Sequence, residues 1–130
     1  MRLRIAALGA ALAVSLLAGC GDSEVVITGK WKGELTQRGL EPFTVTATIG
    51  DLEDPAANTV HYTGIDCGGN WAYLGRDHGA YRFREVIDRG AGGTCKGVGV
   101  VTLTPTSGAR LHYVFQGGGI ESRGVLSRIG

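Results

Sequence analysis

From Val25 onward the chain shows no sustained 3.6-residue apolar period. Instead, apolar and polar residues alternate in short runs about ten residues apart, separated by Gly, Pro, Asn and Asp. Alternation with period two puts successive side chains on opposite faces of a pleated strand, so the pattern predicts an all-β domain. The first strand spans 28–37, with Trp31, Gly33 and Leu35 on one face and Lys30, Lys32, Glu34 and Thr36 on the other. The second, 43–49, turns Phe43, Val45, Ala47 and Ile49 inward and the threonines at 44, 46 and 48 outward, where a β-branched hydroxyl suits an exposed pleat. After a turn over 51–58, strands at 60–65 and 70–75 carry Tyr62, Trp71 and Tyr73 as bulky inward residues, with Cys67-Gly68-Gly69 between them. Strands at 80–88, 97–104, 110–116 and 120–128 complete a set of eight, antiparallel and joined by hairpins. Such a set closes into an up-and-down barrel, or flattens into two packed sheets. Closure removes the exposed edges that invite aggregation, so the barrel is the expectation. Glycines 33, 64, 99 and 124 fall within the strand pattern, where glycine marks bends and bulges, and Gly117-Gly118-Gly119 reads as a hairpin loop.

Ahead of this region the pattern changes kind. Residues 5–17 are almost wholly apolar and follow Arg2 and Arg4, yet fall short of the roughly 20 residues of a spanning helix. That is the layout of a secretory signal helix. It ends in Leu17-Ala18-Gly19-Cys20, which reads as a bacterial lipobox: the Cys20 thiol takes a diacylglyceryl thioether, and cleavage on its N side makes it the first residue of the mature protein. The expected organisation is a lipoprotein signal peptide at 1–19, the lipidated cysteine and a short tether at 20–27, and the barrel domain at 28–130. Fully extended, the tether reaches about 25 Å, which keeps the domain near the extracytoplasmic face of the cell membrane. Attachment rests on two or three acyl chains, palmitate among them, at roughly 0.8 kcal/mol per buried methylene.

Loss of residues 1–19 removes Arg2 and Arg4 and leaves 11 basic against 12 acidic side chains in 111 residues, one net negative charge. The length suits one core rather than two. The cations are scattered singly among acids, without the basic stripe of a nucleic-acid binder, so no nucleic-acid partner is expected. With Cys20 lipidated, Cys67 and Cys95 remain, and outside the reducing cytosol they are expected to pair. In the chain-entropy treatment, a loop of about 29 residues makes that bond worth roughly 3–4 kcal/mol. A metal or redox pair is the rival reading, but there is no Cys-x-x-Cys and no histidine within a few residues of either sulfur.

No catalytic pattern stands out, and no enzymatic activity, cofactor or metal is expected. The glycines sit between strands rather than ahead of a helix that would hold phosphate. His61, His78 and His112 are dispersed, with no convergence of three or four zinc ligands. Ser107, Ser122 and Ser127 lie on no nucleophile elbow. One position breaks the alternation. Glu85 shares its face with Tyr81, Phe83 and Ile87 and is therefore directed inward, whereas Arg82 and Arg84 point to the opposite face of the same strand. A carboxylate inside a barrel needs a cation or several donors, from a Tyr, a Trp or an arginine of another strand. Glu85 is thus either a satisfied core acid or a ligand anchor. Glu85, Tyr62, Tyr73 and Tyr113 are the candidate ligand contacts, since barrels of eight strands either fill with side chains or hold one small ligand.

Two resemblances follow from these residues. Gly29-Lys30-Trp31-Lys32-Gly33 is similar to the Gly-x-Trp opening strand of lipocalin and avidin barrels, where the tryptophan plugs one end. More broadly, Trp31-Lys32-Gly33, Gln37, Cys67-Gly68-Gly69-Asn70-Trp71, the strand holding Glu85 and Gly93-Thr94-Cys95-Lys96-Gly97 resemble a domain of actinobacterial secreted lipoproteins and of the extracellular parts of some membrane serine/threonine kinases. That resemblance implies a structural disulfide and a sensing or binding role without enzymatic function. These 130 residues carry no kinase motif, so the resemblance is not expected to extend to a signalling output. The expectation is a non-catalytic module that binds a small molecule or an envelope partner. The alternative is a structural or inhibitory envelope protein acting through surface contacts. The first requires an interior cavity with Glu85 or a tyrosine within reach of the mouth. The second requires a packed interior and an exposed apolar patch.

Overall fold

A computed structural model describes residues 26–90, 95 and 97–130. The expected signal peptide, Cys20 and most of the tether lie outside the described residues. Eight strands, β1 (Gly29–Gln37), β2 (Phe43–Ile49), β3 (Thr59–Thr63), β4 (Cys67–Asp77), β5 (Ala80–Arg89), β6 (Val98–Ser107), β7 (Arg110–Gly117) and β8 (Ile120–Arg128), each pair antiparallel with the next. β8 returns to β1, closing the barrel.

The alternation decides the two faces as the sequence pattern requires. Trp31, Leu35, Phe43, Val45, Ala47, Ile49, Val60, Trp71, Phe83, Val101, Leu103, Leu111 and Leu126 point in and are buried. Lys30, Lys32, Glu34 and the β2 threonines point out, the reverse of a barrel whose outer wall meets lipid. The two chain-terminal strands meet closely. A Cβ on Gly33 would collide with the Val125 carbonyl oxygen, and one on Gly124 with that of Glu34. These two glycines, and Gly99 against the Phe115 ring, therefore mark close approaches rather than the expected bends and bulges. The register shifts lie elsewhere, at Gly68/Gly69, Tyr73/Gly75 and Pro105/Ser107. Gly64 sits in a turn, and the β7–β8 hairpin turns on Gly118 and Gly119 alone, both at positive φ, with Gly117 still in the strand.

One element differs from the sequence pattern in kind. Cys67-Gly68-Gly69 is not a connection but the start of β4, and the chain turns over 64–66 instead. A glycine pair usually reads as a turn. Here the missing side chain at Gly69 lets the Val86 carbonyl of β5 come where a Cβ would otherwise stand.

The strands run between two unlike ends. At one, β1 starts, β8 finishes, and a loop containing the 3-10 turn Pro55–Ala57 folds over. Trp31, wholly buried, donates its indole N–H to the Ile27 carbonyl at 2.8 Å. The Arg128 guanidinium lies 4.3 Å from the centre of the Trp31 ring and donates to the carbonyls of Val26 and Thr28 at 2.6 Å each and of Gly108 at 3.2 Å. Asn58, also fully buried, accepts from the Gly50 N–H at 2.8 Å and donates to the carbonyls of Asp51 and Asp54. This end is plugged. The other end, ringed by the β1–β2, β3–β4, β5–β6 and β7–β8 connections, is the mouth.

Candidate functional site

Four strands bring their polar inward residues together one layer below the mouth. Glu85 stands on β5 opposite Trp71 of β4 and Gly99 of β6, while β3 contributes Tyr62 and β7 contributes Tyr113. Glu85 is 3% exposed. Its Oε1 accepts two bonds, one from the Tyr62 hydroxyl and one from the Trp71 indole N–H at 3.0 Å. The Tyr62 and Tyr113 hydroxyls are 2.7 Å apart. A phenol has one proton, and that of Tyr62 goes to the carboxylate, so Tyr113 is the donor to Tyr62. The chain of bonds runs Tyr113 to Tyr62 to Glu85, with Trp71 joining at the same oxygen.

Burial sets the protonation. It pushes the Glu85 carboxyl above the ordinary carboxylate range, and the Trp71 and Tyr62 hydrogen bonds, which favour the ionised form, pull part of the way back. Burial also raises Tyr62 and Tyr113 well above the ordinary phenol value, with the nearby carboxylate charge adding to it, so both remain neutral donors.

Above the cluster lies a cavity of about 30 Å³ that Glu85, Tyr62 and Tyr113 line from below. Its upper wall is apolar, from Phe43, Ile65, Ile87, Phe115 and Ile120, with the Cys95 side of the disulfide beside it. At the rim the Ser122 hydroxyl donates to Gln37 Oε1 at 2.6 Å. Below the cluster the interior is filled: Phe83, Leu103, Leu111 and Leu126 are all under 2% exposed. The sequence left open a filled or an occupied interior, and the barrel is filled except at the mouth.

Of the four candidate contacts, the structure brings Glu85, Tyr62 and Tyr113 together and leaves Tyr73 apart. Tyr73 is half-buried on β4 nearer the plugged end, its ring 5.4 Å from Phe83 and 6.2 Å from Tyr81. Tyr73 pairs with Phe83, two residues along β4 from the Trp71–Glu85 pair, and so stands one layer nearer the plugged end than the acid. Trp71, read from sequence as a bulky core residue, proves to be the second donor to Glu85. Its pairing directly opposite Glu85 across β4 and β5 is the signal, visible once the two strands are put in register.

Cys67 and Cys95 form a disulfide, with Cα atoms 6.5 Å apart. The bond ties the start of β4 to the segment leading into β6, beside the mouth. His61 and His112 lie on the outer face of the barrel, and His78 sits in the β4–β5 turn at positive φ next to Asp77. Among the described residues no group of three or more His, Cys, Asp or Glu converges as a metal site, and no helix is long and apolar enough to cross a membrane. Cys20 lies outside the described residues. Compared with protein-family models, with curated proteins and with solved structures, the chain finds no match.

Proposed function

We propose that this chain is a lipid-anchored, extracytoplasmic barrel that binds a small ligand at its mouth without transforming it. The observation that carries the reading is the polar cluster itself. A carboxylate held among two tyrosines and a tryptophan, one layer below a small open cavity, is expensive to keep inside a domain that otherwise fills its interior with apolar side chains. A cluster serving the core alone has no need of a cavity above it. Preorganised polar groups under an apolar rim suit a recognition site. The ligand inserts one small group, because the cavity admits little more than water-sized matter, and the remainder lies across the rim. The lipobox at 17–20 supports the location.

Native mass spectrometry of the full chain, extracted from its host in a mild detergent, tests the binding. A reproducible extra mass lost on denaturation is expected, and a bare protein mass under all extraction conditions counts against it. Replacing Cys20 by Ala is expected to abolish lipid attachment with the barrel intact. A variant that still carries diacylglycerol by mass would end the lipobox reading. The filled interior below the cluster gives some weight to the second reading, a rigid scaffold acting through surface contacts. In that case the mouth stays empty and Glu85 variants leave every binding property unchanged.

A further inference from the structure

The donors and acceptors around the cavity are unequally used. Every strong donor of the cluster is consumed inside it: the Trp71 N–H and the Tyr62 O–H go to Glu85 Oε1, and the Tyr113 O–H goes to Tyr62. At the rim, the Ser122 proton goes to Gln37 Oε1. What remains toward the cavity is acceptors: the lone pairs of Tyr113 and Ser122, and above all Glu85 Oε2. That second oxygen accepts no bond from a described residue, whereas every fully buried side-chain N or O among them has a partner. Oε2 therefore opens on the cavity that Glu85 lines. Of the described lining side chains, none is basic, and the Gln37 amide NH2 is the one remaining donor group.

From this we infer that the mouth takes a primary alkylammonium group, inserted against Glu85 with its hydrocarbon part on the apolar rim. The inference rests on the reading of the mouth as a binding site and names the chemistry it selects. An ammonium carries three N–H donors and no acceptor, and it meets Glu85 Oε2 and Tyr113 on the floor and Ser122 at the rim, all acceptors. It also brings the positive charge that a largely desolvated carboxylate lacks among its described neighbours, where a charge pair is stronger than in water. Size excludes the competitors: a cavity of about 30 Å³ admits a group the size of a water or an ammonium and rejects a quaternary ammonium or an aromatic ring. A carboxylate ligand would set two acceptors and two like charges against each other. The rim residues Phe43, Ile65, Ile87, Phe115 and Ile120 give the attached chain apolar cover.

The two tryptophans supply an internal control, since Trp71 touches Glu85 and Trp31 sits at the plugged end. The full chain in non-ionic detergent is titrated with n-butylammonium, and with butyrate, n-butanol and tetramethylammonium as comparisons, while the two indole N–H resonances are followed by NMR. Butylammonium is expected to shift the Trp71 resonance saturably and leave Trp31 in place, the other three probes having no saturable effect. In Glu85→Gln the affinity is expected to fall at least about tenfold, the loss of one charge-assisted contact, and in Tyr113→Phe by a smaller factor. Equal binding by wild type and a folded Glu85→Gln variant overturns the inference, as does a response to butanol or butyrate matching that to butylammonium. If Glu85→Gln fails to fold, the ranking of the four probes on the wild-type chain decides alone. A native adduct together with no butylammonium response leaves the binding reading standing and removes the ammonium. No adduct and no response to any probe removes both.

Discussion

At the plugged end, one guanidinium answers three carbonyls and a tryptophan face, one indole N–H answers a fourth carbonyl, and Asn58 pairs at both ends of its amide. At the mouth, four polar side chains bond chiefly to one another and leave an oxygen of Glu85 facing open space. Both ends bury polar atoms, but only the first is complete without anything added. The contrast separates two uses of polarity in one small barrel. Satisfied groups lock a plug in one geometry, whereas a partly satisfied group holds a position ready for a partner.

The largest expected effect lies at the plug. Trp31→Ala removes one of the two bulkiest fully buried side chains and uncovers the Ile27 carbonyl, and is expected to cost about 3–5 kcal/mol of stability in urea unfolding. A loss below about 1 kcal/mol would mean that the plug is not a structural unit. Next, reduction of Cys67–Cys95 is expected to lower stability by roughly 3–4 kcal/mol, read as a melting-temperature difference between oxidised and reduced protein. Because the bond lies beside the mouth, reduction should weaken ligand retention while the Trp31 resonance stays put. Identical melting curves would count against it.

Smaller effects sharpen the contrast within the mouth. Tyr62→Phe leaves the Tyr113 hydroxyl without its acceptor and Glu85 with one donor in place of two, and is expected to cost about 1–3 kcal/mol. Glu85→Gln should be the mildest, with a sign set by pH. The folded state holds the Glu85 proton more tightly than the unfolded chain does, because burial outweighs the Trp71 and Tyr62 bonds. The contribution of Glu85 to stability is therefore fully present below the ordinary carboxyl value, about 4.3, and is lost as pH rises through the raised folded value. The only other titratable groups in the cluster, Tyr62 and Tyr113, stay neutral throughout that window. The stability of wild type relative to Glu85→Gln should fall across it in paired melts, and a pH-independent difference would refute the assignment.

Much of this was legible in the sequence, for a physical reason. A period of two repeated eight times leaves little freedom in which residues face inward, and an inward Glu85 among Tyr81, Phe83 and Ile87 is conspicuous for the same reason. The partners of Glu85 were harder to read. Tyr62, Trp71 and Tyr113 arrive from three other strands, and which inward aromatic stands level with the acid depends on register. Between the shifts at Gly68/Gly69 and Tyr73/Gly75 the β4–β5 ladder is regular, and it sets Trp71 opposite Glu85 and Tyr73 opposite Phe83, one layer nearer the plug. Arg128 was invisible as a plug residue because its work is done on backbone carbonyls, which no side-chain pattern announces.

The plug also sets a direction. Val26 and Arg128 lie together at that end, and the last carbonyl, of Gly130, accepts the Lys30 N–H beside them, so both ends of the described chain emerge from the base of the barrel. Under the proposed anchorage, a leash arriving from Cys20 grips the barrel by its base and turns the Glu85 cavity outward, away from the bilayer, like a cup fixed by its foot. Under that anchorage, occupancy would respond to what diffuses through the envelope rather than to the lipid beneath.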